Sequence, residues 1–198
     1  MQHSQFCVVF RVRSMKRMNS EHKLLIEKCR QNDRLAQMKI YDLYCKAMFH
    51  TAFNFVRDDH LAQDVMQEAF IKAFKRIESY TGEASFGAWL KRIVINQSLD
   101  QVKKRNLETI PLKEQVIHIA EEETDWEVDA GISIRAIYRC IDKLPAKCGN
   151  VVKLYLLEGY DHQEVSEILK ISEVASRSQL HRGKMMLKEL LTTGNHEN

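Results

Sequence analysis

The sequence predicts an all-α protein built as two small helical domains joined by a flexible linker. Three observations carry this. The 198 residues include two prolines and seven glycines, few for a chain of many turns. Apolar residues recur every three or four positions over long stretches, the period of a helix with one buried face. One central segment changes character to acidic residues flanked by a proline and a glycine. At 44% hydrophobic residues, the chain can bury one sizeable core or two small ones and is not compositionally disordered.

Residues 1–19 are expected to be a loose tail. Their apolar patch at 6–10 has no charged region before it and is too short for the core of a secretion signal. Met15 and Met18 follow closely, so the first 14 to 17 residues read either as tail or as sequence ahead of the true start.

Residues 20–105 contain no proline, and Gly82 and Gly87 are the only glycines, which suits one helical domain. Leu35, Met38, Tyr41 and Met48 sketch an early stripe. Ala62, Val65, Ala69, Ala73 and Ile77 make the next, widened by Met66, Phe70 and Phe74. After the loop SYTGEA, Ser85 is placed to cap a helix whose apolar face is Phe86, Trp89, Leu90, Ile93 and Val94.

Residues 106–132 read as a solvated linker. They hold Pro111, Gly131 and the run EEETDWEVD at 121–129, six acids and no base.

Residues 133–191 form the second domain, with a tail at 192–198. Ile134, Ile137, Ile141 and Leu144 make a stripe that stops at Pro145. An apolar helix is expected over 151–157, with Gly159 to end it. Asp161 and Glu164 have capping-box spacing, and Val165, Ile168 and Leu169 give the next helix a buried face. After a brief turn, LKIS, Ser172 caps another helix. Two short helices joined by a tight turn, the second polar and basic outside, is the pattern of a helix-turn-helix.

That second helix crowds Arg177, Ser178, Gln179, His181, Arg182 and Lys184 around Leu180. Residues 177, 181 and 184 share a face, 178 and 182 flank it, and Leu180, Leu187 and Leu190 can hold the inner side. The major groove displays acceptors and donors that such side chains match. Taken alone, the helix fits either DNA binding or an ordinary solvated surface.

The segment 85–105 sets Phe86 and Trp89 beside Lys91, Arg92, Lys103, Lys104 and Arg105, against one acid, Asp100. Aromatics beside cations suit single-stranded nucleic acid, where bases stack and phosphates pair. The rings could equally belong to the core. Asn96, polar within IVIN, could cap, face solvent or read a base edge. In DVMQEAF, Asp64, Gln67 and Glu68 lie along one side of their helix, as a wet face or as a docking surface.

Other classes find no support. Cys7, Cys29, Cys45, Cys140 and Cys148 are irregularly spaced with no CxxC pair, so neither a zinc site nor a disulfide framework is suggested, and scattered thiols fit a reducing cytoplasm. No metal or cofactor is expected. No apolar run approaches membrane-spanning length. The absence of GxSxG, a Walker loop, HExxH or a Gly-rich dinucleotide turn argues against an enzyme. The net charge of +3 is too small to indicate a partner.

Together, LAQDVMQEAFIKAFKRIESYTGEASFGAWLKRIVINQSLDQVKKR and LPAKCGNVVKLYLLEGYDHQEVSEILKISEVASRSQLHRGKMML, separated by an acidic linker, resemble bacterial sigma factors of the extracytoplasmic-function group. The first block resembles sigma region two and the second sigma region four. The resemblance implies a protein that binds core RNA polymerase, directs it to promoters and helps open the DNA, while polymerase does the chemistry. It implies that Asp64, Gln67 and Glu68 dock on the clamp coiled coil of the beta-prime subunit. Trp89, Lys91, Arg92 and Asn96 would engage the melted minus-ten element, with Asn96 receiving a flipped base. Arg177, Ser178, His181 and Arg182, with Lys184 beside them, would read the minus-thirty-five element. An anti-sigma factor, a cytoplasmic location and a monomeric free state are further expectations. The chain departs from the family pattern at Val174-Ala175, where Gly-Thr is usual. It departs again at Lys170, where a turn glycine is frequent, and at Gly149-Asn150, where a basic residue often follows the LP motif.

Three other readings stand beside this one. A dimeric helix-turn-helix regulator would explain 160–190 but leave DVMQEAF and the aromatic-basic segment unused. An enzyme with a DNA-binding appendage lacks a catalytic set. A sigma-like protein that binds polymerase or an anti-sigma factor without reading a promoter would accommodate Val174-Ala175.

Overall fold

The computed structural model describes residues 20–108 and 134–194. The expected N-terminal tail, most of the linker with Pro111 and its acidic run, and the last four residues lie outside them. The described residues form eight α-helices and no strand, and these helices separate into two compact units.

The first unit holds α1 (Ser20–Arg30), α2 (Arg34–Val56), α3 (Asp59–Lys75) and α4 (Phe86–Glu108). The last three pack on one another and α1 lies along α2. Two aspartates start the central helices. Asp33 Oδ1 accepts from Leu35 N at 2.8 Å and Ala36 N at 3.2 Å, and Asp58 Oδ1 accepts from Leu61 N at 2.9 Å. Each satisfies amides that no helical carbonyl can reach. On α3 the buried side is the expected stripe, Ala62, Val65, Met66, Ala69, Phe70 and Ala73, with Ile77 beyond it in a 3-10 turn.

The early stripe needs correction. Leu35 and Met38 are 71% and 63% exposed, whereas Met48 is buried and Tyr41 packs half-buried against the core as expected; α2 also buries Ala36, Ile40, Thr51, Ala52, Phe55 and Val56. The reason is phase: the packed side of α2 runs through Ala36, Ile40, Met48, Ala52 and Phe55, and Leu35 and Met38 fall outside it. Ser85 caps α4 as expected, its Oγ accepting from Ala88 N at 3.2 Å. α4 continues to Glu108.

The second unit holds α5 (Ile134–Asp142), α6 (Ala146–Val152), α7 (His162–Leu169) and α8 (Glu173–Gly194), with α8 packed against the other three. Pro145 starts α6, so this helix begins before residue 151. Its regular turns then widen into a π-turn, Lys153–Leu157. Lys153, nearly buried, pairs with Asp142 of α5 at 3.2 Å. Gly159, at φ +77°, turns the chain where a side chain would be strained.

Gly183 of α8 sits against α6. A Cβ there would lie 2.5 Å from Val152 Cγ2, so a glycine permits the close approach of the two helices. Leu180 and Leu187 are buried as expected, but Leu191 rather than Leu190 completes the inner side, and Leu169 is half-buried.

Candidate functional site

In the first unit α3 presents Asp64, Gln67 and Glu68 on one exposed side. Ile71, 55% exposed, stands among them one turn on. Glu68 is held rather than free to wander. Gln97 of α4 donates Nε2 to Glu68 Oε2, and Lys72 donates to Gln97 Oε1 at 3.0 Å. Sequence reading named neither Ile71 nor Gln97. Ile71 was legible as an apolar residue out of phase with the buried stripe, whereas Gln97 depends on how α4 crosses α3.

On α4, Trp89, Arg92 and Asn96 fall at i, i+3 and i+7 and share a side, with Arg92 and Asn96 exposed. Lys91 lies about 140° around the helix from Asn96 at 3.6 residues per turn, so it does not join that surface. Trp89 is half-buried. Its ring centroid is 5.4 Å from those of Tyr80 and Phe86, and Phe86 is the fully buried one of the pair. The indole therefore packs at a tilt against two core rings while the residue stays partly exposed. Lys103, Lys104 and Arg105 are exposed near the end of α4, where cations oppose the helix dipole.

Behind this surface Tyr44 Oη and His22 Nε2 are 2.9 Å apart. Burial lowers the His22 pKa and raises that of Tyr44, so both groups stay neutral near pH 7.

In the second unit the helix-turn-helix is fastened by hydrogen bonds. Glu164 N donates to Asp161 Oδ1 at 2.8 Å, and Asp161 N donates to Glu164 Oε2 at 3.0 Å, completing the capping box. Lys170 ends α7 in the left-handed region at φ +56°. Ser172 Oγ accepts from Ala175 N at 3.1 Å and starts α8.

From there α8 turns Ser176, Leu180, Gly183 and Leu187 inward, and Val174, Arg177, Ser178 and His181 outward. Arg182 and Lys184 fall on opposite flanks. Arg177 pairs with Glu173 at 3.2 Å. Arg182 is half-buried, with a shielded Nε that has no hydrogen-bond partner. Val174, 69% exposed, is a member of the outward surface that sequence reading took only as a departure from pattern.

Beneath the surface, His162 Nδ1 and the buried Ser176 Oγ are 2.9 Å apart. Burial foremost, then the Arg177 and Lys184 charges, hold the His162 pKa below its ordinary value, against opposing pulls from Asp161 and Glu173. Among the described residues no group of His, Cys, Asp and Glu could hold a metal ion, and no helix is long and apolar enough to cross a membrane.

Residues 40–108 match Sigma-70 region 2, and residues 134–187 match Sigma-70, region 4. The chain is 27% identical over 177 residues to the ECF RNA polymerase sigma factor SigW of Bacillus subtilis, covering 84% of this chain and 94% of that protein. It is 30% identical over 139 residues to the RNA polymerase sigma factor SigZ of the same organism, covering 69% of this chain and 76% of that protein. The fold resembles the solved structure of the sigma factor RpoE in complex with the anti-sigma factor NepR from Bartonella quintana. The TM-score is 0.57 at 20% identity, covering 78% of this chain and 96% of that one. CnrH, solved in complex with the cytosolic domain of CnrY, gives 0.57 at 19% identity, covering 86% and 97%. With both regions matched in order and relatives matched along most of their length, the chain belongs to the RNA polymerase sigma factors of the extracytoplasmic-function group, which direct polymerase to specific promoters for transcription initiation.

Proposed function

We propose that the two units divide promoter recognition between them. Asp64, Gln67 and Glu68, with Ile71 one turn beyond them, dock on the beta-prime clamp coiled coil of core polymerase. Trp89, Arg92 and Asn96 engage the melted minus-ten element, and Asn96 holds a flipped base. Arg177, Ser178 and His181 read base edges of the minus-thirty-five element in the major groove, where Val174 suits a thymine methyl group. Arg182 and Lys184 face the phosphates on either side.

The observation that carries this reading is the outward face of α8: an apolar residue and three hydrogen-bonding side chains on one side of the second helix of a helix-turn-helix. Each unit alone is expected to bind weakly, and a tether raises the effective concentration of the second contact. The protein acts in the cytoplasm as a monomer until it joins polymerase, and it carries out no chemistry of its own. A similar structure is a complex with an anti-sigma factor, and a partner of that class is extended to this chain on that basis.

The deciding experiment is in vitro transcription with purified protein, core polymerase and genomic fragments that include the chain's own upstream region. Run-off products that depend on the protein support the reading, and their absence overturns it. The melting role has its own test. Asn96→Ala should weaken binding of the non-template minus-ten oligonucleotide by about 1–3 kcal/mol and reduce open complexes on duplex promoters. An equal loss on an unrelated oligonucleotide would instead make Asn96 structural.

A further inference from the structure

Ser176 is fully buried beneath the outward face of α8, one residue before Arg177. A hydroxyl at such a position must find a partner or carry a desolvation penalty. Its partner is the ring of His162, the first residue of α7, with Nδ1 and Oγ 2.9 Å apart. The same ring stacks on Tyr155, centroids 4.6 Å apart and planes 30° from parallel.

Tyr155 belongs to the π-turn that ends α6, so one imidazole touches three successive segments of the unit. The Ser172 cap and the capping box on α7 are local, each made within its own turn. The His162–Ser176 contact instead spans 14 residues, between the two helices of the helix-turn-helix. Apolar contacts such as those of Leu180 and Leu187 let a helix roll, whereas a directional hydrogen bond resists rotation about its axis.

We infer that His162 is a positioning residue for promoter reading: held against Tyr155 and bonded to Ser176, it sets the rotation of α8 and so the aim of Arg177, Ser178 and His181. This rests on the reading that α8 contacts the minus-thirty-five element. The ring serves in its neutral form. Arg177 and Lys184 face it from α8, and Asp161 and Glu173 are the acids near it. A protonated ring would add a third positive charge and leave Nδ1 able only to donate across the His162–Ser176 bond.

The test uses the full-length protein with core polymerase. The DNAs are a promoter recovered by run-off and the same duplex with a scrambled minus-thirty-five element. The reading is the ratio of initiation on the two. His162→Ala and Ser176→Ala should each reduce that ratio about threefold to tenfold, the value of one net hydrogen bond. The double variant should lose no more than either single, because both remove the same interaction. His162→Asn keeps an amide near the Nδ1 position and should recover part of the ratio. It should also lack the loss of discrimination expected of wild type once pH falls through the lowered His162 value, which lies below the ordinary 6.5. If His162→Ala disrupts the second unit, the Asn and Ser176 variants carry the test.

Arg177→Ala is the control on the underlying reading. If it lowers the ratio while the His162 and Ser176 variants leave it intact, or if their losses simply add in the double variant, His162 is not a positioning residue. If Arg177→Ala also leaves the ratio unchanged, or no promoter is recovered, α8 does not read DNA and the inference falls with that reading.

Discussion

The two units hold their working surfaces by different physics. In the first, α3 and α4 span 17 and 23 residues, and their exposed sides are the outer faces of helices whose inner faces make the core. Burial of Val65, Ala69, Phe70, Leu90 and Val94 places Asp64 and Asn96 with no special turn. In the second, α7 has eight residues and joins α8 through a turn with Lys170 in a left-handed conformation. There the capping box, the Ser172 cap and the His162–Ser176 bond set the geometry. A surface carried on long packed helices fails when the core fails. One carried on a helix that is entered through a short helix and a tight turn can be misdirected while the core survives.

The largest effect that would sharpen this contrast is a core truncation. Leu90 is fully buried, so Leu90→Ala should destabilise the first unit by about 3 kcal/mol. Chemical unfolding followed by helical circular dichroism should show one transition shifting while that of the second unit stays in place. A matching shift in both would mean that the units do not fold independently.

Next is the docking face. Asp64→Lys with Glu68→Lys alters exposed positions and should leave the unfolding curve nearly unchanged while weakening core polymerase binding by about 1.5–3 kcal/mol. Breaking the Glu68–Gln97 bond is the one structural penalty expected. Unchanged core affinity in a direct titration would remove these residues from the interface.

A smaller effect separates the turn from the core. Lys170 sits at φ +56°, where a side chain is strained and glycine is not. Lys170→Gly should stabilise the second unit by up to about 1 kcal/mol, reduced by the extra freedom glycine gives the unfolded chain. A lower melting temperature for that unit would mean the lysine side chain contributes more than the backbone strain removes.

The smallest effect touches both units. His22 and His162 have lowered pKa values in the folded protein, so the unfolded chain takes up protons first as pH falls. Stability is therefore level above pH 6.5 and declines below it, down to the folded values. Thermal melts between about pH 7.5 and 5.5 should show both units softening, and His162→Asn should flatten the trend in the second alone. Rising stability in mild acid would contradict the neutral state of these rings.

Much of this was legible in the sequence, for reasons that particular residues make plain. The stripe from Ala62 to Ile77, the Ser85 and Ser172 caps and the Asp161–Glu164 box are local patterns, and local patterns survive folding. The outward placement of Arg177, Ser178 and His181 followed from helix geometry alone. The early stripe held at Tyr41 and Met48 but failed at Leu35 and Met38, because size was read as burial there while the packed side of α2 runs through Ala36, Ile40 and Ala52. Lys91 was grouped with Asn96 by the family resemblance, and the helix carries it round to another side. Gln97 beneath Glu68 and Ser176 beneath Arg177 depend on contacts 29 and 14 residues away in the chain, which no local pattern encodes.

α8 can also be considered as a lever. From Arg177 to Gly183 it rises about 9 Å at 1.5 Å per residue, with the base-reading candidate Arg177 toward one end and the close approach to α6 at the other. A tilt of about 5° at Gly183 would swing the backbone at Arg177 by about 0.8 Å over that length, enough to spoil a paired hydrogen bond to a base. The missing side chain at Gly183 thus fixes the fulcrum where α8 crosses α6. On the proposed reading, the aim of Arg177 is then set from a buried point about 1.7 helical turns away.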